Sequence, residues 1–146
     1  MGDDVSVSDW QYVHNVVVPT ATLSLDEVRE RNRRHDLSVA YLDGDTLIGC
    51  LTVRPPTLES ATATVIARVL APYRRQGYGE RIYAHGLERA RSLGADTIET
   101  IILASNADGL RFAQTHGFVE VERYLLPGER IQWITLRLGG AGPVQI

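Results

Sequence analysis

The chain has 146 residues, 44% of them hydrophobic and 23% charged, with a formal charge of −3 at pH 7. That length holds one domain with a real core, spanning residues 1–146, and is too short for two. The acidic balance argues against non-specific nucleic-acid binding as the main task, and no run approaches the roughly 20 apolar residues of a membrane span.

The first residues, Met1-Gly2-Asp3-Asp4, are acidic and lead into no apolar stretch, so neither a signal peptide nor a myristoylated Gly2 is expected. Ser8 to Val18 reads as a helix, with Trp10, Val13, His14 and Val17 at helical spacing, Ser8 or Asp9 as its cap and Pro19 as its stop. Ser24-Leu25-Asp26-Glu27 opens a second helix in capping-box form, running to about Arg34. Arg29, Arg31, Arg33 and Arg34 lie on it as a solvated face; contact with an anionic substrate is the alternative. Leu37 to Leu42 is a strand, Asp43-Gly44-Asp45 a hairpin signal, and Thr46 to Arg54 the partner strand, ended by Pro55-Pro56. Cys50, the single cysteine, sits inside that apolar strand; it excludes an internal disulfide and reads as a buried residue rather than a nucleophile. One cysteine is compatible with a reducing cytoplasm, the expected location.

Ser60 to Ala71 is a long β-rich run, and a helix from about Gly79 to Leu93 follows it, closed by Gly94. Thr97 to Ala104 is a buried strand, so the two strands flanking the helix should be parallel, a right-handed βαβ unit. A short helix from about Asp108 to His116 and strands at Phe118 to Leu125 and Ile131 to Leu138 complete the order α-α-β-β-β-α-β-α-β-β. This is a mixed α/β sheet with one βαβ unit at its centre, and residues 1–7 and 139–146 read as flexible ends. His14, His35, His85 and His116 are scattered, with no pairing at metal spacing, and no metal is expected.

Between the long strand and its helix stands Val69-Leu70-Ala71-Pro72-Tyr73-Arg74-Arg75-Gln76-Gly77-Tyr78-Gly79. A basic, Gly-rich turn at a helix start offers bare backbone N–H groups to phosphate oxygens. The dinucleotide fingerprint is excluded because its third glycine position holds Ile82, and no Gly-x-x-x-x-Gly-Lys-Ser/Thr run exists. The remaining pattern is Arg-x-x-Gly-x-Gly at Arg74, Gly77 and Gly79.

That pattern after the central strand, together with Asn106 and then Gly117-Phe118 beyond a short helix, resembles the GCN5-related N-acetyltransferase (GNAT) family over roughly Leu37 to Leu138. The resemblance implies a GNAT-like acyl-CoA N-acyltransferase fold, acetyl-CoA as co-substrate and a primary amine of a small molecule or protein as acceptor. It implies that Val69, Leu70 and Ala71 offer backbone groups to the pantetheine. The N–H groups of Gln76, Gly77, Tyr78, Gly79 and Glu80 would hold the pyrophosphate, with charge from Arg74 and Arg75. Asn106 would bond the pantetheine and Phe112 would line its path.

The chain departs from the family in both proton-transfer roles. The carboxylate often found on the central strand is replaced by Val65-Ile66-Ala67, and the tyrosine often found seven residues after the asparagine is Ala113. The catalytic residues are therefore open; Glu99 and Glu59 are the candidates for a base, each with a surface or salt-bridged carboxylate as the competing reading. The departures also keep open a non-catalytic acyl-CoA-binding or regulatory module. The family usually begins with a strand, for which only Val5-Ser6-Val7 is available, and an uncovered sheet edge makes a homodimer an expectation.

Overall fold

The computed structural model describes residues 4–139. Its elements are α1 (Asp4–Val17), α2 (Leu25–Arg34), β1 (Asp36–Leu42), β2 (Thr46–Arg54), β3 (Thr62–Val69), α3 (Tyr78–Ser92), β4 (Thr97–Leu103), α4 (Ala107–Thr115), β5 (Phe118–Tyr124) and β6 (Trp133–Leu138). A single 3-10 turn, Ala71–Tyr73, links β3 to the loop before α3. The six strands form one sheet in the order β1-β2-β3-β4-β6-β5. β3 and β4 are parallel, as the βαβ reading requires, and every other neighbouring pair is antiparallel.

Helix α1 starts at Asp4 rather than Ser8 and absorbs the stretch that could have been a first strand. The reason is the three-residue repeat Val7, Trp10, Val13, all at most 4% exposed, which only a helix turns to one side. The described part of the expected flexible start therefore lies in α1, while residues 1–3 lie outside the described residues. At the other end, the Gly139 N–H donates to the Gly117 carbonyl at 3.0 Å, and residues 140–146 lie outside the described residues. The capping box of α2 forms as written: the Glu27 N–H donates to Ser24 Oγ and the Ser24 N–H to Glu27 Oε1. β3 ends at Val69, two residues before the expected Ala71, because Pro72 lacks an N–H and the chain turns there. β6 begins at Trp133 rather than Ile131, where it first pairs with Leu103 of β4 and Tyr124 of β5.

Each face of the sheet has its own core. On one face α3 packs over Leu51, Val53, Ala63 and Val65. Gly86 permits that approach, since a Cβ there would collide with Val65 and lie 2.8 Å from Leu51 Cδ1. On the opposite face α1 and α2 cover Leu37 and Cys50 with Trp10, Val13 and Val28. The Trp10 indole N–H donates to the Leu51 carbonyl at 3.3 Å, which pins α1 to β2.

His14 stacks on Trp10 with ring centroids 5.2 Å apart and is 4% exposed. Burial, reinforced by the Arg68 guanidinium, pushes its pKa down to about 4. An unfolded chain protonates the same ring near pH 6.5, so between these values the unfolded state binds more protons. The stabilisation is complete above pH 6.5 and is lost as pH falls toward 4, an effect on the order of 3 kcal/mol. Urea unfolding at pH 7 and pH 4.5 should show a smaller loss of stability in His14→Gln than in the wild type. Equal losses would show that His14 is not the group responsible.

Candidate active site

The site begins with backbone geometry. The β3–β4 ladder consists of Thr62↔Thr97, Ala63↔Ile98 and Thr64↔Glu99 and then stops, although both strands continue. On its other side β3 stays paired with β2 as far as Val69↔Gly49, and the Leu70 N–H donates to the Ile48 carbonyl at 2.8 Å. Backbone groups alternate between the two edges of a strand, so Ile66, Arg68 and Leu70 bond toward β2 while Ala67 and Val69 turn toward β4. On β4 the Ala104 N–H donates to the Gln132 carbonyl at 2.8 Å, which by the same alternation turns Ile101 toward β3. Beyond Thr64 and Glu99 the two strands therefore present backbone groups to an open split.

A cavity of about 520 Å³ occupies the split. Its lining comes from both faces of the sheet: Gly79, Tyr83, Phe112 and Phe118 on the α3/α4 face, and Ile66, Arg68, Ile101, Leu103 and Trp133 on the face that carries α1 and α2. It thus passes through the sheet. Burial raises the Tyr83 phenol above its ordinary range, and its buried hydroxyl has no hydrogen-bond partner among the described residues.

At the α3 end lies the basic loop. Arg75 (φ 63°) and Gly77 (φ 86°) are left-handed, the kind of backbone that gathers successive N–H groups into an anion-binding concavity. α3 starts directly after Gly77 with no side-chain cap, so its first N–H groups and dipole remain available. A Cβ at Gly79 would lie 3.6 Å from both Val69 Cγ2 and Phe112 Cε2, so loop, strand and α4 converge there.

Of the residues read from the sequence, Val69, Arg74, Arg75, Gly77, Gly79, Glu80, Asn106 and Phe112 line the cavity. Leu70 and Ala71 instead line a neighbouring hollow with Tyr12 and Pro72, and the N–H of Leu70 belongs to the sheet. Gln76 and Tyr78 are absent from the lining, and the Gln76 amide donates to the Pro72 carbonyl at 3.1 Å. Arg74 Nε donates to the Val69 carbonyl at 2.8 Å, and Arg75 pairs with Asp108 of α4 at 3.5 Å. Asn106 caps α4 by accepting from the Gly109 N–H at 2.9 Å. The Glu80 carboxylate lies 3.1 Å from His116 Nε2, while His116 Nδ1 donates to the Phe112 carbonyl at 2.7 Å.

Neither candidate base reaches the cavity. Glu99 is held by Arg137 at 2.7 Å, at the closed end of the split, and Glu59 is exposed on the β2–β3 loop. Cys50 lies wholly inside, its thiol pushed up to about 12 by burial despite a hydrogen bond with Arg68. Among the described residues no three His, Cys, Asp or Glu side chains cluster as metal ligands, and no helix is long and apolar enough to cross a membrane. Sequence reasoning missed Arg68, Tyr83 and Trp133 as lining residues. For Arg68 a signal existed: it is a lone cation inside the apolar run Val65-Ile66-Ala67-Arg68-Val69.

A split parallel pair beside an anion-binding helix start suits a long ligand, anionic at one end and threaded through the sheet at the other. The model of the acetyltransferase (GNAT) family matches residues 6–118, and the chain belongs to that family. A search of curated proteins returns no match. Among solved structures, an acetyltransferase of Bacillus subtilis in complex with CoA is 22% identical, with a TM-score of 0.69 and 94% of each chain covered. The ribosomal-protein-S18-alanine N-acetyltransferase of Escherichia coli is 18% identical, with a TM-score of 0.73 over 99% of this chain and 96% of the other. A Salmonella typhimurium protein, yncA, solved with acetyl-CoA, is 16% identical, with a TM-score of 0.72 over 99% and 96%. At these identities the likeness establishes the fold.

The loop geometry yields a direct test. Gly77→Asp places a charge at the helix start and a side chain at a φ of 86°; Gly77→Asn carries the same backbone strain without the charge. Acetyl-CoA affinity measured by calorimetry should fall ten-fold or more in Gly77→Asp, at least ~1.4 kcal/mol, and clearly less in Gly77→Asn. Equal affinity of wild type and a folded Gly77→Asp would show that the loop does not hold the phosphates.

Proposed function

We propose that the chain transfers the acetyl group of acetyl-CoA to the neutral primary amine of a small molecule or protein, and that the amine loses its proton to water rather than to a dedicated carboxylate. The observation that carries the reading is the cavity through the split, open to the basic loop at one end and to the opposite face of the sheet at the other. The residues suit that co-substrate: the uncapped start of α3 meets the pyrophosphate, the apolar walls at Val69 and Phe112 meet the pantetheine, and backbone groups of Ala67 and Val69 meet the thioester end. Bound acetyl-CoA supplies the electrophilic carbonyl and a thiolate leaving group whose conjugate acid has a pKa of about 8.5.

The chain's own part is positioning and electrostatics. Arg74 is fixed on the Val69 carbonyl, which leaves the N–H groups of Ala67 and Val69 as the strand donors in the split. Donors on a rigid strand aimed where negative charge grows are worth more than the same donors in water. The carboxylates in the lining, Glu80 and Asp108, lie at the loop end and are engaged by His116 and by Arg75 and Arg111. The walls between them and the opposite mouth hold no carboxylate among the described residues. That absence is the motive for the water route, and it also favours a second reading, a non-catalytic acyl-CoA-binding module. A cytoplasmic setting, where acetyl-CoA is available, and a homodimer through an uncovered edge of the sheet, whose terminal strands are β1 and β5, belong to the same reading.

Thiol release with a panel of amines separates the two readings: turnover with any amine supports the enzyme, and tight acetyl-CoA binding without turnover supports the module. For the water route, kcat/KM should climb with pH toward the amine's own pKa instead of levelling near an enzyme group. Glu99→Gln and Glu59→Gln should each lower turnover by less than the roughly hundred-fold expected for loss of a positioned base. A larger fall in either variant, with acetyl-CoA binding intact, would identify that glutamate as the base.

A further inference from the structure

The face of the sheet away from α3 carries a feature that acetyl-CoA binding does not use. Cys50 and Arg68 are direct cross-strand partners, and Cys50 lies under α1 and α2. Side chains alternate along a strand, so Ile66 and Arg68 of β3 and Arg54 of β2 share that face. Arg31 of α2 lies close enough for its charge to act on Arg54 and Arg68, and Arg54 acts on Arg68; Arg31 itself feels Arg34 and, with opposite sign, Glu27. Arg54 and the Tyr124 phenol, from β5 on the far side of the split, also act on each other, so four elements converge on one basin.

The basin is short of counter-charge. Glu27, one turn before Arg31 on α2, acts on Arg31 at a distance, and among the described residues only the Tyr124 phenol and the Cys50 thiol oppose the charge of Arg54 and Arg68. Among the described residues no carboxylate forms an ion pair with Arg31, Arg54 or Arg68. The nearby acids are hydrogen-bonded elsewhere: Glu27 to the Ser24 cap, from where its charge still reaches Arg31, Glu30 to Arg33 and Arg34, and Glu99 to Arg137. Among the described residues, Arg54 Nε is buried with no hydrogen-bond partner, and Arg68 bonds with the weak thiol of Cys50. Three half-buried cations repel one another and lose solvation, and Glu27, the Tyr124 phenol and the Cys50 thiol offset this only in part, since burial still lowers the pKa of all three. A core would not gather them, whereas an oxyanion held between them would satisfy them. Arg68 also lines the cavity, beside Ile66, Ile101, Leu103 and Trp133, so the basin adjoins the mouth opposite the basic loop.

We infer that the acceptor amine carries an oxyanion, a carboxylate or a phosphonate-type group, which Arg68, Arg54 and Arg31 bind at the mouth of the cavity away from the loop. The inference rests on the catalytic reading above and narrows its acceptor class to small anionic amines. The guanidiniums grip the anion, and the amine attached to it projects past Arg68 into the split.

The test uses the intact chain with acetyl-CoA and matched acceptors: amino acids against their carboxamides, and aminoalkylphosphonates against their dialkyl esters. The carboxamide has the less basic amine, so the water route alone would favour it. Recognition of the anion reverses that order, with the acid at least ten-fold better in kcat/KM through KM and its advantage shrinking as salt rises. The two series tell a carboxylate from a phosphonate. Arg54→Gln and, on the helix, Arg31→Gln should raise KM for the acid about ten-fold while leaving acetyl-CoA affinity and kcat/KM for the neutral partner unchanged. A carboxamide or ester equal to or better than its acid in both series would overturn the inference while leaving the transferase reading intact, as would an acid preference untouched by both variants. If no amine is turned over, the transferase reading fails instead. Calorimetry of acid against carboxamide on the acetyl-CoA complex then decides the inference, tighter binding of the acid supporting it and equal binding ending it.

Discussion

The structure depends on one interruption: the β3–β4 ladder gives out after Thr64 and Glu99. Each of these strands keeps its other neighbour, β3 paired with β2 as far as Val69 and β4 with β6 as far as Leu103. The sheet is therefore two antiparallel leaves joined by three rungs. α3 rides on the β2–β3 leaf, and α4 packs against β5 on the other. Unpaired strand backbone inside a protein is costly unless something bonds to it. Here the cost falls where a ligand can offset it, which converts a break in pairing into a binding site with fixed donors.

The two ends of the split are both electropositive, by different means. At the loop the charge is backbone: orphan N–H groups and a helix dipole, supplemented by Arg74 and Arg75. At the other mouth it is side chain: the Arg54 and Arg68 guanidiniums, with no carboxylate ion pair among the described residues. A chain of net charge −3 achieves this by keeping its acids elsewhere, many in ion pairs at the surface such as Asp26–Arg29, Glu30–Arg33 and Glu120–Arg123. Those exposed pairs add little to stability individually. Their effect on function is to leave the field at the two mouths uncancelled, so net charge alone would mislead about what this protein attracts.

Local rules carried most of the fold. The Ser24–Glu27 box is readable because a cap involves residues three apart, and the strand, turn and helix around Gly77 are readable because the left-handed turn demands glycine there. The split itself is not readable. Val65 to Val69 contains no strand breaker, and the strand does continue; only its neighbour departs, a matter of which leaf each strand twists with. The start of α1 was obscured because Val5 and Val7 are β-branched and favour strands, and the contacts of Val7 with Trp10 and Val13 in the core override that preference. The arginine basin was half legible. The run on α2 stood out, but Arg54 and Arg68 are isolated in apolar strands, and only the antiparallel register places them on one face with Arg31.

The same register explains why a strand carboxylate would be out of place in this chain. Ile66 and Arg68 share one face of β3, whereas Val65 packs under α3 on the other. A carboxylate at position 66 would point toward the guanidiniums and be held by them, its basicity lowered by their charge. It would also cancel the field that distinguishes this mouth. A cationic acceptor basin and a strand-borne general base thus compete for the same few ångströms of β3. This chain has apolar residues where the base would stand and arginines where the proposed acceptor would dock, and under that proposal its catalytic power comes from positioning and backbone donors more than from proton transfer by a side chain.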